Sequence, residues 1–159
     1  MVGLPGSPIE MDYINDLRNV VGNRPLIMVG STVLVLDDRN RLLMMKRADS
    51  GNWGLPGGAM ELGESTEETA RRELFEETGL EVGELILFGV FSGRELYHRY
   101  PRGEEVYNVS IVYLASCVTG IVKLLDEEHN DFQYFELTNL PESISPPIKP
   151  ILKKLLEIC

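Results

Sequence analysis

Apolar side chains recur at helical spacing in two segments, one near each end of the chain. Segment 12–21 carries them at Ile14, Leu17, Val20 and Val21, and Gly22 follows. Segment 148–155 carries them at Ile148, Ile151, Leu152 and Leu155. Spacings of three and four residues place side chains on one face of a helix. We therefore predict a short helix in each segment, the second packing on the core with Pro150 in its first turn, where proline is tolerated.

Between these segments the apolar pattern is typical of strands. Residues 26–36 form a nearly continuous apolar run, 37–40 are polar, and 41–47 run back, which predicts a hairpin with a buried first strand. Further strands are predicted at 85–91, 106–114, 121–125 and 132–137. One face of the second carries Tyr107, Val109, Ile111 and Tyr113. Asn108 and Ser110, on its other face, either line a pocket or meet solvent.

The clearest helix in the sequence spans 65–78. Ser65 and Glu68 have the spacing of a capping box, and Gly79 supplies the C-terminal stop. Ala70 and Leu74 would face the core. The preceding residues 48–63 are rich in glycine and contain WGLPGG, which indicates a structured loop. Together these elements predict an α+β fold, a mixed sheet with a central helix and a terminal helix.

Three carboxylates, Glu73, Glu76 and Glu77, project from one face of the predicted central helix. The like-charged pair Glu73 and Glu77 destabilises an isolated helix, and a bound cation reverses that effect. Clustered carboxylate oxygens suit hard divalent ions such as Mg²⁺ or Mn²⁺ rather than zinc. The alternative is an ordinary solvated face, because charged residues at this spacing are common on surface helices.

The residues around the carboxylates form a longer pattern. From Gly58 through Glu64 to segment 72–80 (RELFEETGL) the chain reads G-x5-E-x7-R-E-U-x-E-E-x-G-U, where U is apolar. This pattern resembles the Nudix box of the Nudix hydrolases. The GLPGG sequence before it, the flanking strands and FELTNLP near the end are similar to the rest of such domains.

The resemblance implies a fold and a set of roles. The fold is a Nudix-type α/β/α sandwich with a central mixed β-sheet, formed by a single domain over 12–159. Segment 1–11 is expected to be a flexible leader, because its first ten residues contain two glycines and two prolines and have no periodicity. The implied ligands of Mg²⁺ or Mn²⁺ are the carbonyl of Gly57 or Gly58 and the carboxylates of Glu73, Glu76 and Glu77. Glu73 acts as base or metal ligand, Arg72 orients the carboxylates, and Glu64 assists, so the implied catalytic set is Glu64, Arg72, Glu73 and Glu77.

Family members often add one acidic residue from a late loop, and the motif does not identify it. The candidates are Glu104, Glu105, Glu127, Glu128 and Asp131. Glu128 and Asp131 lie in the usual region, yet each is also interpretable as a solvated loop charge. His129, in the same acidic segment, is interpreted as a bystander.

Cationic and aromatic residues gather in segment 92–105 of this otherwise acidic chain. Arg94, His98, Arg99 and Arg102 interleave there with Tyr97 and Tyr100. Such a mixture suits binding of phosphate together with a base or ribose, although an exposed hairpin tip has the same composition. Lys46 and Arg47 either contact phosphate or protect a sheet edge. Trp53 either stacks on a base or packs the glycine loop onto the sheet, and packing is the usual role.

Composition narrows the classes of partner. The net charge is −10, which disfavours polymeric nucleic acid and anionic membranes as partners. Cys117 and Cys159 have neither disulfide-framework nor metal-ligand spacing. No secretion signal or run of membrane-spanning length is visible, so we expect a cytoplasmic protein. Dimers are frequent in the family, and a homodimer remains an expectation without an identified interface.

The resulting functional hypothesis is a metal-dependent hydrolase that cleaves the diphosphate linkage of a nucleoside diphosphate joined to another group. Dinucleoside polyphosphates, ADP-ribose-like sugars and modified nucleoside triphosphates rank nearly equal, the first slightly ahead because Tyr97 resembles a tyrosine of diadenosine-polyphosphate hydrolases. Arg47, Arg94, Tyr97, His98 and Arg99 are the expected substrate-binding residues. The alternatives are a nucleotide-sensing module of the same fold without turnover and an acidic helix on an unrelated scaffold.

Overall fold

A computed structural model describes residues 12–158 of the protein. The leader expected at 1–11 and Cys159 lie outside these residues. In chain order the elements are α1 (Tyr13–Val21), β1 (Leu26–Leu34), β2 (Leu42–Arg47), β3 (Trp53–Gly54), β4 (Gly57–Ala59), α2 (Thr66–Thr78), β5 (Glu81–Phe91), β6 (Tyr97–Arg99), β7 (Glu105–Thr119), β8 (His129–Phe135) and α3 (Lys149–Ile158). Short 3₁₀ turns, Arg94–Leu96 and Pro146–Ile148, precede β6 and α3. The three helices begin and end close to the predicted positions.

The larger of two sheets is mixed, as the sequence predicts. Its order is β4-β1-β7-β5, and β6 pairs with β7. β1 and β7 run parallel, with Gly30 opposite Ser110, whereas the other neighbours are antiparallel. Within this sheet, the central pair β1 and β7 therefore brings together the residues that are most distant in the sequence.

The predicted hairpin of residues 26–47 is only partly correct. β2 belongs to a second sheet of order β3-β2-β8, and the hairpin is limited to its tip, where Leu36 bridges Leu42. The carboxylate of Asp37 accepts hydrogen bonds from the backbone of residues 39 and 41 and closes the tip. The first strand is also not buried throughout, since 78% of Ile27 is exposed. A continuous apolar run does not tell whether successive strands share a sheet.

Two further predictions need correction. The loop 48–63 contains the short strands β3 and β4. Segment 121–125 forms no strand; instead the backbone N–H groups of Lys123 and Leu125 bind the carbonyls of Thr78 and Glu77 at 2.9 and 3.3 Å. These bonds satisfy carbonyls that the end of a helix leaves unpaired. The segment therefore caps α2 rather than extending a sheet.

Alternate strand residues supply two separate cores, one under each of the longer helices. Val33 and Tyr113 pack with Ala70 and Leu74 of α2. Their neighbours in the chain point the other way, so that Leu34 and Val112 belong to the cluster of α3. That cluster includes Ile151, Leu152 and Leu155, the face predicted for the terminal helix. The sheets thus lie between α2 and α3, in agreement with the expected α/β/α sandwich.

Trp53 belongs to the core beside α3. Its ring meets that of Phe135 edge-on, with centroids 5.0 Å apart and an interplanar angle of 82°. The packing interpretation of this tryptophan therefore fits its position. None of the helices formed by residues 12–158 has the length and apolar character that a bilayer crossing requires.

Candidate functional site

Helix α2 presents its carboxylates to β4 because both of its ends and its core face are fixed. Ser65 Oγ accepts a hydrogen bond from the Glu68 backbone at 3.1 Å, and Glu68 Oε1 accepts one from the Ser65 backbone at 2.8 Å. Gly79 ends the helix in the left-handed conformation. Fully buried Ala70 and Leu74 fix its rotation. The capping box, the terminal glycine and the core face all agree with the sequence prediction.

The glycine strand β4 lies directly against these carboxylates. The backbone N–H of Gly57 donates to Oε1 of Glu77 at 3.1 Å. A β-carbon on Gly58 would overlap the carboxylate of Glu73, and one on Gly57 would overlap the backbone of Ser31 in β1. The close approach of strand and helix therefore requires glycine at both positions.

Arg72 connects the carboxylates. Its guanidinium donates to both oxygens of Glu64 at 2.6 and 3.0 Å, to Glu76 at 3.1 Å and to Glu73 at 3.3 Å. It also donates to the carbonyl of Ala59 at 3.0 Å, which ties α2 to β4. The planar guanidinium suits such bidentate pairing and restricts the carboxylate rotamers.

Glu64 is fully engaged by neighbouring donors. Besides Arg72, the Glu61 backbone and the hydroxyl of Thr69 donate to it, each at 2.9 Å. The hydrogen bonds from Arg72 are the main reason that the pKa of Glu64 falls to about 2. A carboxylate held in this way orients its neighbours, which suits the helper role expected from the sequence.

Glu73 and Glu77 experience the opposite environment. Burial, reinforced by the charges of Glu76 and Glu128, raises the pKa of Glu73 to about 7 despite the nearby Arg72. Glu77 is only 3% exposed, and burial together with the charge of Glu73 raises its pKa well above the usual range. One buried and one half-buried carboxylate with too little positive charge around them form a site that a cation would stabilise.

Residues from the segment before β8, with the first residue of that strand, complete the acidic cluster. Glu77, Asp126, Glu128 and His129 each place one ligand-type atom so that all four atoms lie within 4.8 Å of one another. His129 is 7% exposed, and its Nδ1 lies 3.2 and 3.3 Å from the carboxylate oxygens of Asp126. The cluster, hereafter the β8 cluster, offers oxygen and imidazole ligands suited to a divalent ion.

The sequence prediction found only part of the β8 cluster. Glu128 was among its candidates, whereas Asp126 was missed and His129 was interpreted as a bystander. A β-bulge where β2 and β8 pair brings Arg47 opposite His129, and the carbonyl of Glu128 accepts a hydrogen bond from Ala48 at 2.8 Å. The available signal was the run of ligand-type residues at 126–129 (DEEH) directly before a strand.

The other acidic candidates lie elsewhere. Asp131 is exposed on β8, where its carboxylate accepts a hydrogen bond from the Phe132 backbone at 2.8 Å. Glu105 accepts a hydrogen bond from the Tyr97 hydroxyl at 2.6 Å. Glu104 and Glu127 line an outer cleft of about 990 Å³, together with Glu64, Arg72, Glu73 and Glu76. Of the late candidates, Glu128 is the one placed within reach of Glu77 in the described chain.

An inner cavity of about 160 Å³ adjoins the outer cleft. Both are lined by Arg47, Gly57, Gly58, Tyr100 and Glu128, so these residues mark the boundary between them. The inner cavity continues past Glu77 and His129 toward apolar and uncharged polar side chains of β7 and the start of α3. The carboxylates therefore lie at the entrance of a small, half-open cavity.

Two of the predicted substrate-binding residues line the inner cavity. Arg47 lies over the ring of Tyr100, 5.5 Å from its centroid, and pairs with Asp49 at 2.8 Å. His98 packs edge-on against Tyr100 with centroids 4.6 Å apart. Burial, with the neighbouring charge of Arg47, lowers the pKa of His98 and keeps it neutral near pH 7. Positive charge thus stays at the cavity boundary.

The remaining predicted residues line neither space. In β6 successive side chains alternate between faces, so Tyr97 and Arg99 point away from the side of His98. Tyr97 instead packs on Tyr107, with centroids 5.2 Å apart. Arg94 is exposed in the preceding 3₁₀ turn. The basic and aromatic segment is therefore divided between the two faces of the sheet.

Comparisons with known proteins agree with this architecture. The NUDIX domain family matches residues 27–155. An ADP-ribose pyrophosphatase of Methanocaldococcus jannaschii is 36% identical over 111 residues, which are 68% of this chain and 62% of that protein. An NAD-capped RNA hydrolase NudC of Actinobacillus succinogenes is 35% identical over 114 residues, 71% of this chain and 39% of that protein. The chain thus spans less than two thirds of the length of either relative.

Solved structures share the fold. A MutT NUDIX hydrolase from Burkholderia pseudomallei superposes with a TM-score of 0.69 at 28% identity and covers 81% of this chain and 98% of its own. The NUDIX domain of Shewanella oneidensis NrtR, solved with ADP ribose, gives a TM-score of 0.64 at 20% identity, covering 96% and 98%. With the family match over 27–155 and the complete motif on α2, these likenesses show that the chain belongs to the Nudix family.

Proposed function

We propose that this chain is a divalent-metal-dependent pyrophosphohydrolase that cleaves the diphosphate linkage of a nucleoside diphosphate joined to another group. The observation that carries the proposal is the meeting of half-buried Glu73 with the β8 cluster, to which buried Glu77 belongs, at the entrance of the inner cavity. Buried carboxylates with raised pKa values are expected at functional sites, because the fold stabilises them poorly without a ligand.

The donor set fits a divalent ion. Glu73, Glu76, Glu77 and Glu128 offer carboxylate oxygens, the implied glycine carbonyl lies in β4 beside them, and His129 adds a nitrogen. Mg²⁺ and Mn²⁺ both accept such oxygen-rich sites. When bound by these residues, such an ion would neutralise phosphate charge and would lower the pKa of the attacking water.

The protein groups around this site have distinct tasks. Glu73, with a pKa of about 7, is suited to accept the proton of the attacking water or to serve as a ligand. Arg72 and Glu64 hold that carboxylate in place through their bidentate pair. Arg47, at the boundary of the two spaces, is placed to neutralise a phosphate oxygen.

ADP-ribose-like molecules are the substrates we place first. Tyr97, which favoured dinucleoside polyphosphates, lines neither cavity and donates its hydroxyl to Glu105. The Methanocaldococcus jannaschii relative, in contrast, is named an ADP-ribose pyrophosphatase. A nucleoside diphosphate with a second sugar also matches a small cavity that opens into a larger cleft, since the two halves need separate space.

The test is a panel of ADP-ribose, dinucleoside polyphosphates and modified nucleoside triphosphates with Mg²⁺ or Mn²⁺, scored by product identity. We expect a nucleoside monophosphate and a phosphorylated remainder, and loss of activity by about 10²- to 10⁴-fold in Glu77→Gln. Glu67→Gln, an exposed residue of the same helix, is the matched control. Tight nucleotide binding without any product would contradict the proposal and identify a sensing module.

A further inference from the structure

We propose that the inner cavity binds the nucleobase of the substrate. In this proposal Ser145 is a specificity-determining residue, because its hydroxyl donates a hydrogen bond to the base or accepts one from it. The proposal deepens the proposed function, since the base belongs to the nucleoside diphosphate whose linkage would be cleaved. The supporting observation is the buried hydroxyl of Ser145, which has no hydrogen-bond partner among the described residues.

The hydroxyl of Ser145 is the unusual group. Ser145 is 7% exposed, and its Oγ has no hydrogen-bond partner among residues 12–158. Leaving a buried polar group unpaired costs free energy, so such groups are rare in native structures. The residue lines the inner cavity, which is the place where a ligand can supply the missing partner.

The backbone holds this hydroxyl in place. The Ser145 N–H donates to the carbonyl of Trp53 at 2.9 Å, and the Trp53 N–H donates to the carbonyl of Ser143 at 2.8 Å. The Ser145 carbonyl in turn accepts a hydrogen bond from Ile148 at 3.2 Å. Ser145 thus lies between β3 and the start of α3, and its side chain is not needed for these contacts. The main chain of Ser145 is therefore fixed by hydrogen bonds in which its hydroxyl takes no part.

Other uncharged polar groups face the same space. The hydroxyls of Thr32 and Ser110 lie 2.8 Å apart, and whichever accepts that bond keeps its own proton to donate elsewhere. Asn108 uses its Nδ2 to bind the carbonyl of Leu96 at 3.0 Å, and its Oδ1 accepts no bond from the described residues. The cavity therefore offers both donors and acceptors without a formal charge of its own at this end.

The rest of the wall is apolar and the size is that of an aromatic ring. Leu55, Leu96, Ile148 and Ile151 line the cavity. Its volume of about 160 Å³ is close to the roughly 150 Å³ of an engineered protein cavity that binds benzene. A flat, neutral ring with hydrogen-bonding edges satisfies both the apolar walls and the unpaired polar groups.

The charge distribution gives the orientation of that ring. Arg47, Glu77 and Glu128 lie at the entrance, and the neutral His98 and the serines lie beyond it. A diphosphate at the entrance places the attached nucleoside inside, because a second phosphate group would find no cation in the described lining beyond Arg47. The uncharged base is the part of the substrate that fits.

The experiment compares Ser145→Ala with Ser143→Ala, an exposed serine two positions earlier whose backbone carbonyl, not its hydroxyl, makes the contact described above. Binding of AMP, GMP, UMP, CMP and ribose 5-phosphate is measured by titration calorimetry, and KM and kcat are measured on the best substrate of the panel. We expect Ser145→Ala to weaken the best nucleotide and to raise KM by about five- to tenfold, the loss of one hydrogen bond, with kcat and ribose 5-phosphate binding unchanged.

Thermal unfolding of the free protein distinguishes a ligand-binding role of the Ser145 hydroxyl from a structural one, because the two roles predict Tm changes of opposite sign in Ser145→Ala. Because the unpaired hydroxyl is a cost in the free protein, Ser145→Ala should keep or raise Tm. Unchanged KM and nucleotide binding, a fall in Tm with intact binding, or the absence of binding of all four nucleotides to the wild type would overturn the inference. Nucleotide binding that depends on Ser145 without any hydrolysis would instead overturn the proposed function alone.

Discussion

Gly57 and Glu77 are joined by a hydrogen bond of 3.1 Å from the backbone N–H of the glycine to Oε1 of the glutamate. This bond links β4 to α2 and partly offsets the cost of burying the Glu77 carboxylate. The carboxylate is 3% exposed and faces Asp126 and Glu128 as well as Glu73. The stability of the free protein and its activity therefore make opposite demands on Glu77.

Glu77→Gln is expected to stabilise the metal-free protein at pH 8 while lowering hydrolysis by about 10²- to 10⁴-fold. The amide keeps an acceptor for Gly57 and replaces a carboxyl group whose ionisation burial makes costly, and a gain of about 1 kcal/mol corresponds to about 2–4 °C in Tm for a chain of this size. Differential scanning calorimetry measures the shift. Glu76→Gln, at a side chain 55% exposed, should leave Tm unchanged. A lower Tm for Glu77→Gln would contradict this account.

The pH dependence of stability should differ with and without metal. The pKa of Glu73 is about 7 in the folded protein against an ordinary 4.5, so its stabilising contribution is complete below pH 4.5 and is lost as the pH rises through 7. Glu77 shifts in the same direction. Metal-free protein should therefore lose stability between pH 4.5 and 7, and saturating Mg²⁺ or Mn²⁺ should remove this loss.

Glu64 provides the internal control for that measurement. Its pKa falls to about 2, so its contribution is present above pH 4.5 and is lost as the pH falls toward 2. Glu64→Gln should flatten the acid limb of the stability curve and leave the limb between pH 4.5 and 7 unchanged. Urea titrations at each pH give the free energy of unfolding in both pH ranges. A change between pH 4.5 and 7 in Glu64→Gln would contradict the assignment of the two ranges to different carboxylates.

Gly58→Ala should reduce activity strongly, because a β-carbon would displace the carboxylate of Glu73. We expect a loss of about 10²-fold or more in kcat. The comparison is Gly63→Ala, where φ is +86° and nothing lies within 4 Å of the added carbon. That variant should lose about 1 kcal/mol of stability through its backbone conformation and keep its activity. Equal kinetic losses in both variants would be evidence against steric displacement.

Variants at and just before β8 should show which of the late acidic residues contribute to metal binding. Glu128→Gln and His129→Gln change the β8 cluster and should lower Mn²⁺ affinity by about 10-fold or more. Asp131→Asn, on the same strand but exposed, should retain wild-type affinity. Isothermal titration with Mn²⁺ measures each value. Nitrogen coupling in the electron spin echo spectrum of bound Mn²⁺, lost in His129→Gln, would identify the imidazole as a ligand.

Arg72→Ala and Arg71→Ala should have different effects although the residues are adjacent. Arg72 pairs with Glu64, Glu73 and Glu76, so its loss should lower kcat by about 10²-fold and weaken metal binding. Arg71 donates to the carbonyls of Val82 and Gly83, so its loss should cost stability alone. Kinetics and thermal unfolding on both variants distinguish the two roles.

Local features of the sequence were sufficient to predict α2 and its carboxylates. The capping box at Ser65, the glycine stop and the spacing of Glu73 and Glu77 all act within one helix, where neighbours in sequence are neighbours in space. Arg72 was predictable for the same reason. The sequence pattern did not predict how deeply the Glu77 side chain is buried, because its burial depends on β4 and on the chain after β7.

The missed residues depend on pairings between distant segments. Asp126 and His129 reach Glu77 only because β8 pairs with β2 through a bulge, and no periodicity marks a bulge. Ser145 reaches the inner cavity because its loop pairs with Trp53. The hairpin error has the same origin, since local turn chemistry at Asp37 fixed the tip but not the sheet to which β2 belongs.

The parallel pairing of β1 with β7 has a consequence for how the protein folds. Every residue of β1 pairs with one 80 positions later, from Leu26 with Val106 to Leu34 with Leu114. Such pairings form slowly, because the chain loses conformational entropy on closing so long a loop before the stabilising contacts between the strands have formed. Gly30 and Ser110 meet across this pair and both line the inner cavity. The nascent chain must therefore have emerged as far as β7 before the proposed nucleotide pocket can exist.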